Sequence, residues 1–404
     1  MRANAGTLRL GVVPGVRLAE FEGQYYTAEP FHYEFWAECL GVFDEVVILA
    51  QAAHARQPPP GSVVGGPHVN VVPLPSARGT MGYLAAVASM ARATQQALPS
   101  ADVWLLHPPS VETLLCTVHL QRRRRPYAVE LRGDQSLDVA YLRAKGVPLP
   151  RAVSLVMRST LRRAVRGARA VSAVADFLIK EHAEGFGGPV FCASDVRIPE
   201  WWVGSPRSWP GPGRRILALG RLEAQKDPLG LVAACAELAA AGFDQWELSF
   251  VGDGPLGPPV ARLARQLGVG EKVALSGPVS WGPRLFARLR EADLVVLNSV
   301  VEGMPRVAVE AMAAGTPVLG TRVGALPELL AEGAIVPRLL PSALGQAIRT
   351  LLSDPSALTR LSAHGIAMAG RFSASRLRAI RREFLVAVRA MAEDASDPSV
   401  SRAP

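Results

Sequence analysis

The stretch VVEGMPRVAVEAMAAGTPVLGTRVGALPELL, residues 300–330, decides how this chain is read. It follows the apolar run LVVLN (294–298), a buried strand by its length and β-branched content. After it come a loop from Ser299 to Gly303, a helix PRVAVEAMAAG (305–315) and another strand, TPVLG (316–320). Pro305 opens the helix and Gly315 stops it. Such a helix start offers unbonded backbone N–H groups and the positive end of a dipole, which together hold an anion. Gly303 lets a ligand come close to the backbone, and the amides of Gly303 and Met304 face it. Glu302 stands just before the helix and Glu310 lies eight residues on, a separation of roughly 12 Å along the axis. A carboxylate at each end can accept bonds from paired hydroxyls, with phosphates held between them. The alternative is that both glutamates are ordinary surface residues of an amphipathic helix.

Working outward, the second half of the chain repeats strand and helix. Strands are expected at RILALG (215–220), ELSFVG (247–252), VALSG (273–277) and AIVP (334–337), with a helix at DPLGLVAACAELAAAG (227–242) between the first two. Asp227 and Pro228 form an N-cap and N1 pair for that helix, and Gly242 its stop. The loop GRLEAQKD (220–227) carries Arg221 and Lys226 after the strand-end Gly220. At the carboxyl edge of a parallel sheet a loop like this faces the ligand crevice, where a guanidinium and an ammonium can neutralise a diphosphate. Lys226 is one of only four lysines in the chain, so its place there is less easily chance. Two solvated surface cations are the plainer reading. VGDGP (251–255) and SGPV (276–279) put Gly252 and Gly277 at two further strand ends.

The first half shows the same alternation, with strands expected at 8–13, 46–50, 69–74, 103–107, 127–133 and 169–174. SDVRIPEWWVGSPRSWPGPGRR (194–215) breaks the rhythm, and its Pro, Gly and Ser content reads as a linker. The expected architecture is α/β, with two Rossmann-like parallel-sheet domains at 1–200 and 201–372. A terminal helix at 373–394 and a disordered tail at 395–404 complete it.

A chain of 404 residues is long for one core, and 49% hydrophobic residues suit parallel strands buried on both faces. No run approaches the roughly 18 apolar residues of a membrane span, and the N-terminus carries no signal-peptide pattern, so the cytoplasm is the expected compartment. Cys39, Cys116, Cys192 and Cys235 are scattered without metal-ligand spacing, and the seven histidines form no zinc motif. The net charge of +9 calls for an anionic partner. With no helix-turn-helix, zinc-finger or RNP-type pattern, nucleic acid is not expected; phosphate-bearing sugars or an anionic membrane surface fit.

On these residues the chain resembles the family 4 retaining glycosyltransferases of the GT-B fold (glycosyl transferases group 1). The Glu-x7-Glu element stands as Glu302-Gly303-Met304-Pro305 through Glu310-Ala311-Met312-Ala313-Ala314-Gly315-Thr316-Pro317-Val318, and the run Gly324-Ala325-Leu326-Pro327-Glu328, with one residue more between Gly and Glu, answers to the family's G-x-x-E element. Arg221 and Lys226 match the family's phosphate pair. The resemblance is specific over about 215–340 and architectural elsewhere. It implies an N-terminal acceptor domain and a C-terminal nucleotide-sugar domain facing a central cleft, with a terminal helix that crosses back onto the first. It further implies Glu302 on the donor sugar, Glu310 on the ribose, and Arg221 and Lys226 on the leaving phosphates. Glu302, Arg221 and Lys226 are then the catalytic set, with no cofactor and no metal. The E-G-M-P variant points to UDP with a hexose or N-acetylhexosamine. The acceptor would be a glycan, a lipid-linked intermediate or a small molecule.

The first half departs from that family. Where many members carry a histidine, AVELRGD (128–134) has Arg132 and Asp134, which either serve a ligand or pair with each other across a turn. His107, ending VWLLH, is a rival, and Gly15 in VVPGVR would let the first loop approach the donor. The aromatic segment EGQYYTAEPFHYEFW (22–36) suits either sugar stacking or a buried cluster. A helix at 149–169 gathers Arg151, Arg158, Arg162, Arg166 and Arg169 on one arc, with Val153, Val156, Met157, Leu161, Ala164 and Ala168 opposite. That arc, with Arg122 to Arg125 beside it, is either a solvated face or a dock for anionic lipid. Two other functions share the architecture: a nucleotide-sugar 2-epimerase, which the E-G-M-P element disfavours, and a non-catalytic nucleotide-sugar-binding module, in which Glu302, Arg221 or Lys226 would be eroded.

Overall fold

Short runs of Val, Leu, Ile and Ala become strands because each is flanked by helices that bury it on both faces. The computed structural model describes residues 7–28, 31–133, 137–144, 146–337 and 340–396. They fall into two units. The first comprises Met1–Val174, Leu178–Ala193 and Ala379–Pro404, and the second Ala175–Phe177 and Ser194–Arg378.

In the first unit the strands are β1 (Arg9–Val13), β2 (Arg17–Phe21), β3 (Gln24–Thr27), β4 (Glu45–His54), β5 (Ser62–Val63), β6 (Val69–Pro75), β7 (Val103–Leu106), β8 (Tyr127–Leu131), β9 (Ala170–Ala173) and β10 (Val190–Cys192). Their order is β10-β9-β8-β7-β1-β4-β2-β3-β5, with β6 paired to β4. Pairing is parallel except where β3 meets β2 and β5. The connecting helices are α1 (Tyr33–Ala37), α2 (Gly79–Ala97), α3 (Val111–Arg122), α4 (Val139–Ala144), α5 (Pro150–Gly167) and α6 (Asp176–His182). All six strands expected in this half are present. The β2–β3 hairpin, β5 and β10 were not anticipated; the hairpin turns at Glu22 and Gly23, both with positive φ.

The second unit follows one rule throughout. Strands β11 (Arg215–Leu219), β12 (Glu247–Val251), β13 (Val273–Leu275), β14 (Leu294–Leu297), β15 (Val318–Thr321) and β16 (Ile335–Val336) form a parallel sheet in the order β13-β12-β11-β14-β15-β16. Between and after them run α7 (Pro228–Ala240), α8 (Gly257–Gln266), α9 (Pro283–Glu291), α10 (Arg306–Ala313), α11 (Leu326–Leu329), α12 (Pro341–Ser353), α13 (Pro355–Ala369) and α14 (Ala374–Ser396). Asp227 caps α7, its carboxylate accepting from Gly230 N at 3.1 Å. Gly315 ends α10 at φ +75, where a Cβ would stand 2.7 Å from the Ser205 carbonyl oxygen. Only glycine fits there.

From residue 379 the terminal helix belongs to the first unit. Phe384, Leu385 and Val388 are buried with Leu10, Val12, Trp36 and Ile48 in that unit's core. The helix thus crosses back, as expected. One sequence expectation fails in α5: Val156, placed with the buried residues, is exposed. The helix instead buries Ser154, Thr160, Leu161, Ala164 and Val165. Small hydroxyls can go inside because Ser154 Oγ donates to Leu137 O at 2.6 Å and Thr160 Oγ1 to Val156 O at 2.9 Å. Residues 397–404 of the expected tail lie outside the described residues.

Candidate functional site

In the second sheet the strand order reverses direction between β11 and β14, and the crevice outside the carboxyl ends of such a pair is where open α/β sheets bind ligands. The loop after β11 carries Gly220, Arg221 and Lys226, and the loop after β14 carries Ser299, Glu302 and Gly303. The two loops are fastened together: Val300 N donates to Gln225 O at 2.8 Å, and the Gln225 amide to Val301 O at 3.3 Å. Lys226 Nζ bonds Glu302 Oε1, and Ser299 Oγ donates to that oxygen at 2.6 Å. Glu302 is buried, so its charge is held by an ammonium and a hydroxyl rather than by water. The Lys226 side chain is 28% exposed and that of Arg221 76%, the latter 3.4 Å from Glu223. The sequence paired these two cations as equals. The structure puts Lys226 on Glu302 and Arg221 out toward solvent.

The strand-end glycines close this edge. Gly220 N donates to Val251 O and Gly252 N to Gly277 O, at 3.0 and 2.9 Å. A Cβ on Gly252, at φ +141, would lie 2.0 Å from Gly220 O, so the first two of these strands end in backbone alone. Across the crevice, Gly324 (φ +52) packs so closely that a Cβ would lie 2.4 Å from Glu302 O. Ala325 N also donates to Gly303 O at 3.0 Å. The Gly324–Glu328 run therefore sets the backbone of the Glu302 loop, while Glu328 accepts from Asp176 N at 3.2 Å. Pro305 is the N-cap of α10 and Gly303 is buried beside it.

Glu310 is buried on α10. Its carboxylate accepts from Trp281 Nε1 at 2.9 Å, and its carbonyl from Trp202 Nε1 at 3.1 Å. Trp281 stacks on Trp202 with centroids 5.2 Å apart. Sequence reasoning missed both tryptophans. The signal for Trp202 was the Trp201–Trp202 pair inside a stretch read only as linker, since indoles are costly to leave in water. Burial pushes the Glu310 carboxyl up to about 7, against smaller downward pulls from Arg306 and the Trp281 N–H. Between the ordinary value of 4.5 and about 7 the native state holds a proton that the unfolded chain has released. This group's contribution to stability therefore falls as pH rises through that window and is level above it. Glu310→Gln, neutral throughout, should gain thermal stability relative to the parent between roughly pH 5 and 8. Melting curves of both proteins across that range check this, and a difference independent of pH would contradict it.

In the first unit Gly15 and His107 meet at the carboxyl ends of β1 and β7, where that sheet also reverses. Gly15 has φ +67, and a Cβ there would be 3.2 Å from His107 O. His107 Nε2 lies 3.3 Å from Glu130 Oε2, and Arg132 Nη1 donates to Glu130 Oε1 at 2.8 Å. Arg381 of α14 reaches that oxygen at 3.1 Å. Burial alone would raise the Glu130 carboxyl, but Arg381, Arg132 and His107 outweigh it and hold it well below the ordinary range. Burial lowers the His107 pKa despite Glu130. Arg132 also lies over Phe31 and Phe35, at 4.5 and 5.2 Å. Of the aromatic segment, Phe31 and Trp36 are thus core residues around a buried charge cluster. Asp134 lies outside the described residues. Glu130 was missed, although a glutamate inside the apolar run YAVEL is itself the anomaly that marks it.

A groove of about 1330 Å³ lies at the amino ends of β11–β13, lined by Arg215, Glu247, Lys272 and Arg288, away from Lys226, Glu302 and Glu310. Among the described residues no three of His, Cys, Asp and Glu are grouped to hold a metal ion.

Residues 206–368 match the family model for glycosyl transferases group 1. The fold is GT-B. The chain is similar to HepE of Anabaena solved in complex with UDP, at 17% identity and TM-score 0.61, covering 94% of this chain and 100% of that one. It is similar to sucrose-phosphate synthase from Thermosynechococcus elongatus at 16% and TM-score 0.65, covering 95% and 99%. An α,α-trehalose-phosphate synthase (UDP-forming) from Burkholderia vietnamiensis aligns at 13% and TM-score 0.65, covering 97% and 100%. No curated protein matches. The matched segment holds the loop and helix residues from Gly220 to Glu328 but not Trp202.

Proposed function

We propose that this chain is a glycosyltransferase that moves a sugar from a nucleotide-sugar, a UDP-hexose or UDP-N-acetylhexosamine, to a hydroxyl acceptor with retention of configuration. The observation that carries the reading is the Lys226–Glu302 contact at the switch point, beside the start of α10. In this reading the ammonium stands beside the departing diphosphate and the carboxylate beside the sugar's hydroxyls. Solved relatives named for UDP or as UDP-forming support the choice of base. In this reading Glu302 holds the donor sugar, and Glu310 takes the ribose hydroxyls once the Trp281 N–H gives way. Lys226 and Arg221 steady the leaving diphosphate together with the amides of Gly303 and Met304. Gly220, Gly252 and Gly277 keep the crevice open to the ligand.

Release of nucleoside diphosphate from a panel of UDP-, GDP- and ADP-sugars, with and without sugar acceptors, tests the proposal. Transfer supports it; isomerised donor would mark an epimerase, and binding without turnover a non-catalytic module. The cations of the proposal come from the protein, so activity is expected to survive EDTA unchanged. Loss on chelation, restored by magnesium or manganese, would overturn the metal-independent mechanism.

A further inference from the structure

We infer that the outer surface of the α2, α3 and α5 layer is a docking face for an anionic lipid bilayer. In the first unit α3 packs between α2 and α5 on one side of the sheet. The charge on this layer has one sign. The five arginines of α5, with Arg122, Arg123 and Arg124 at the end of α3, face a single acidic residue in the three helices, Glu112, and that one is buried. What the sequence alone did not show is that apolar side chains share the surface. Leu149 is 77% exposed and Leu155 69%, and Val156 is exposed beside them. On α2, Met81 (76%) and Leu84 (64%) are exposed as well.

At 100° per residue Leu155 falls in the middle of the exposed arc of α5, with Arg158 and Arg162 on one side and Arg166 on the other. A solvated face has no use for leucine there. A helix lying in a membrane interface does: the apolar side chains enter the acyl boundary while arginines pair with phosphates above it. The occupant is set by charge, since a zwitterionic surface has no net negative potential to draw in so many guanidinium groups without acidic neighbours. Among the described residues no helix is long and apolar enough to cross a membrane, so the contact would be one of the surface alone.

The full chain is mixed with vesicles of phosphatidylcholine, or of phosphatidylcholine with roughly a third phosphatidylglycerol, and bound protein is measured by co-sedimentation. Binding is expected only to the anionic vesicles and should weaken as salt rises. Arg151→Glu with Arg162→Glu and Arg166→Glu should lower it on the order of 100-fold. These three leave untouched the contacts of Arg158 with Leu137 O and of Arg163 with Gln121. Leu155→Ser with Val156→Ser should lower it on the order of tenfold. Both variants change exposed positions and should melt with the parent, which the same samples can show. No binding to anionic vesicles, equal binding to neutral ones, or binding indifferent to the Leu155 and Val156 changes would overturn the inference. So would a dimer of the parent chain dissolved by those same two changes, which would make the face a contact between copies.

Discussion

Lys226→Ala is expected to lower sugar transfer about 10²- to 10³-fold, the scale on which one preorganised charge acts at a developing anion. The lysine stands at the strand-order reversal of its sheet and already touches Glu302, so its loss has two consequences. The leaving diphosphate loses its nearest ammonium. The buried Glu302 carboxylate is left with Ser299, a loss of about 1–3 kcal/mol in stability. Turnover and melting temperature should therefore fall together, the first far more than the second. Lys226→Arg should recover part of both by restoring the charge without the same reach. Arg221→Ala should cost less than Lys226→Ala because its side chain is mostly in solvent and is screened there. A folded Lys226→Ala protein with near-normal turnover would remove the lysine from the mechanism.

The second large effect is expected from Glu302→Gln. The amide keeps the size of the carboxylate and can still accept from Ser299, so the fold should hold. Turnover should fall about 10²-fold, because a charge near a centre gaining positive character is gone. The Lys226 contact makes a further consequence definite. With the carboxylate neutralised, the ammonium is released toward the phosphates, so free nucleoside diphosphate should bind as well as before or better. Glu310→Gln should instead weaken the diphosphate and the intact donor alike, since the ribose belongs to both. Titration of the two variants with both ligands gives four affinities. Equal damage to diphosphate binding in both variants would mean that the glutamates do not divide sugar and ribose between them.

Much of this was legible in the sequence, for identifiable reasons. Parallel strands buried on both faces leave continuous apolar runs, and the runs at 215–220, 247–252 and 294–298 each form a strand. Glu302 and Gly324 could be recognised from the motif they stand in, and the structure gives the reason: a buried carboxylate, and a backbone approach that leaves no room for a Cβ on Gly324. Long-range partners could not. Nothing near Glu310 in the chain announces Trp281, 29 residues away, and nothing near Glu130 announces Arg381 at a distance of 251. On α5 the arginine arc and Leu161 and Ala164 stand as periodicity expects, but Val156 does not, because Ser154 and Thr160 find carbonyls inside and take its place. The β2–β3 hairpin was overlooked because its aromatic strand, QYYT, was weighed as a ligand surface rather than as a strand.

The central claim, that the crevice at β11 and β14 binds a nucleotide-sugar through Lys226, is tested most directly by calorimetric titration of the protein with UDP-glucose and UDP-N-acetylglucosamine, in parallel with Lys226→Ala. The account predicts saturable one-to-one binding of at least one UDP-sugar, weakened about tenfold or more by the substitution. UDP-sugar binding that the folded Lys226→Ala protein retains at full strength would contradict it.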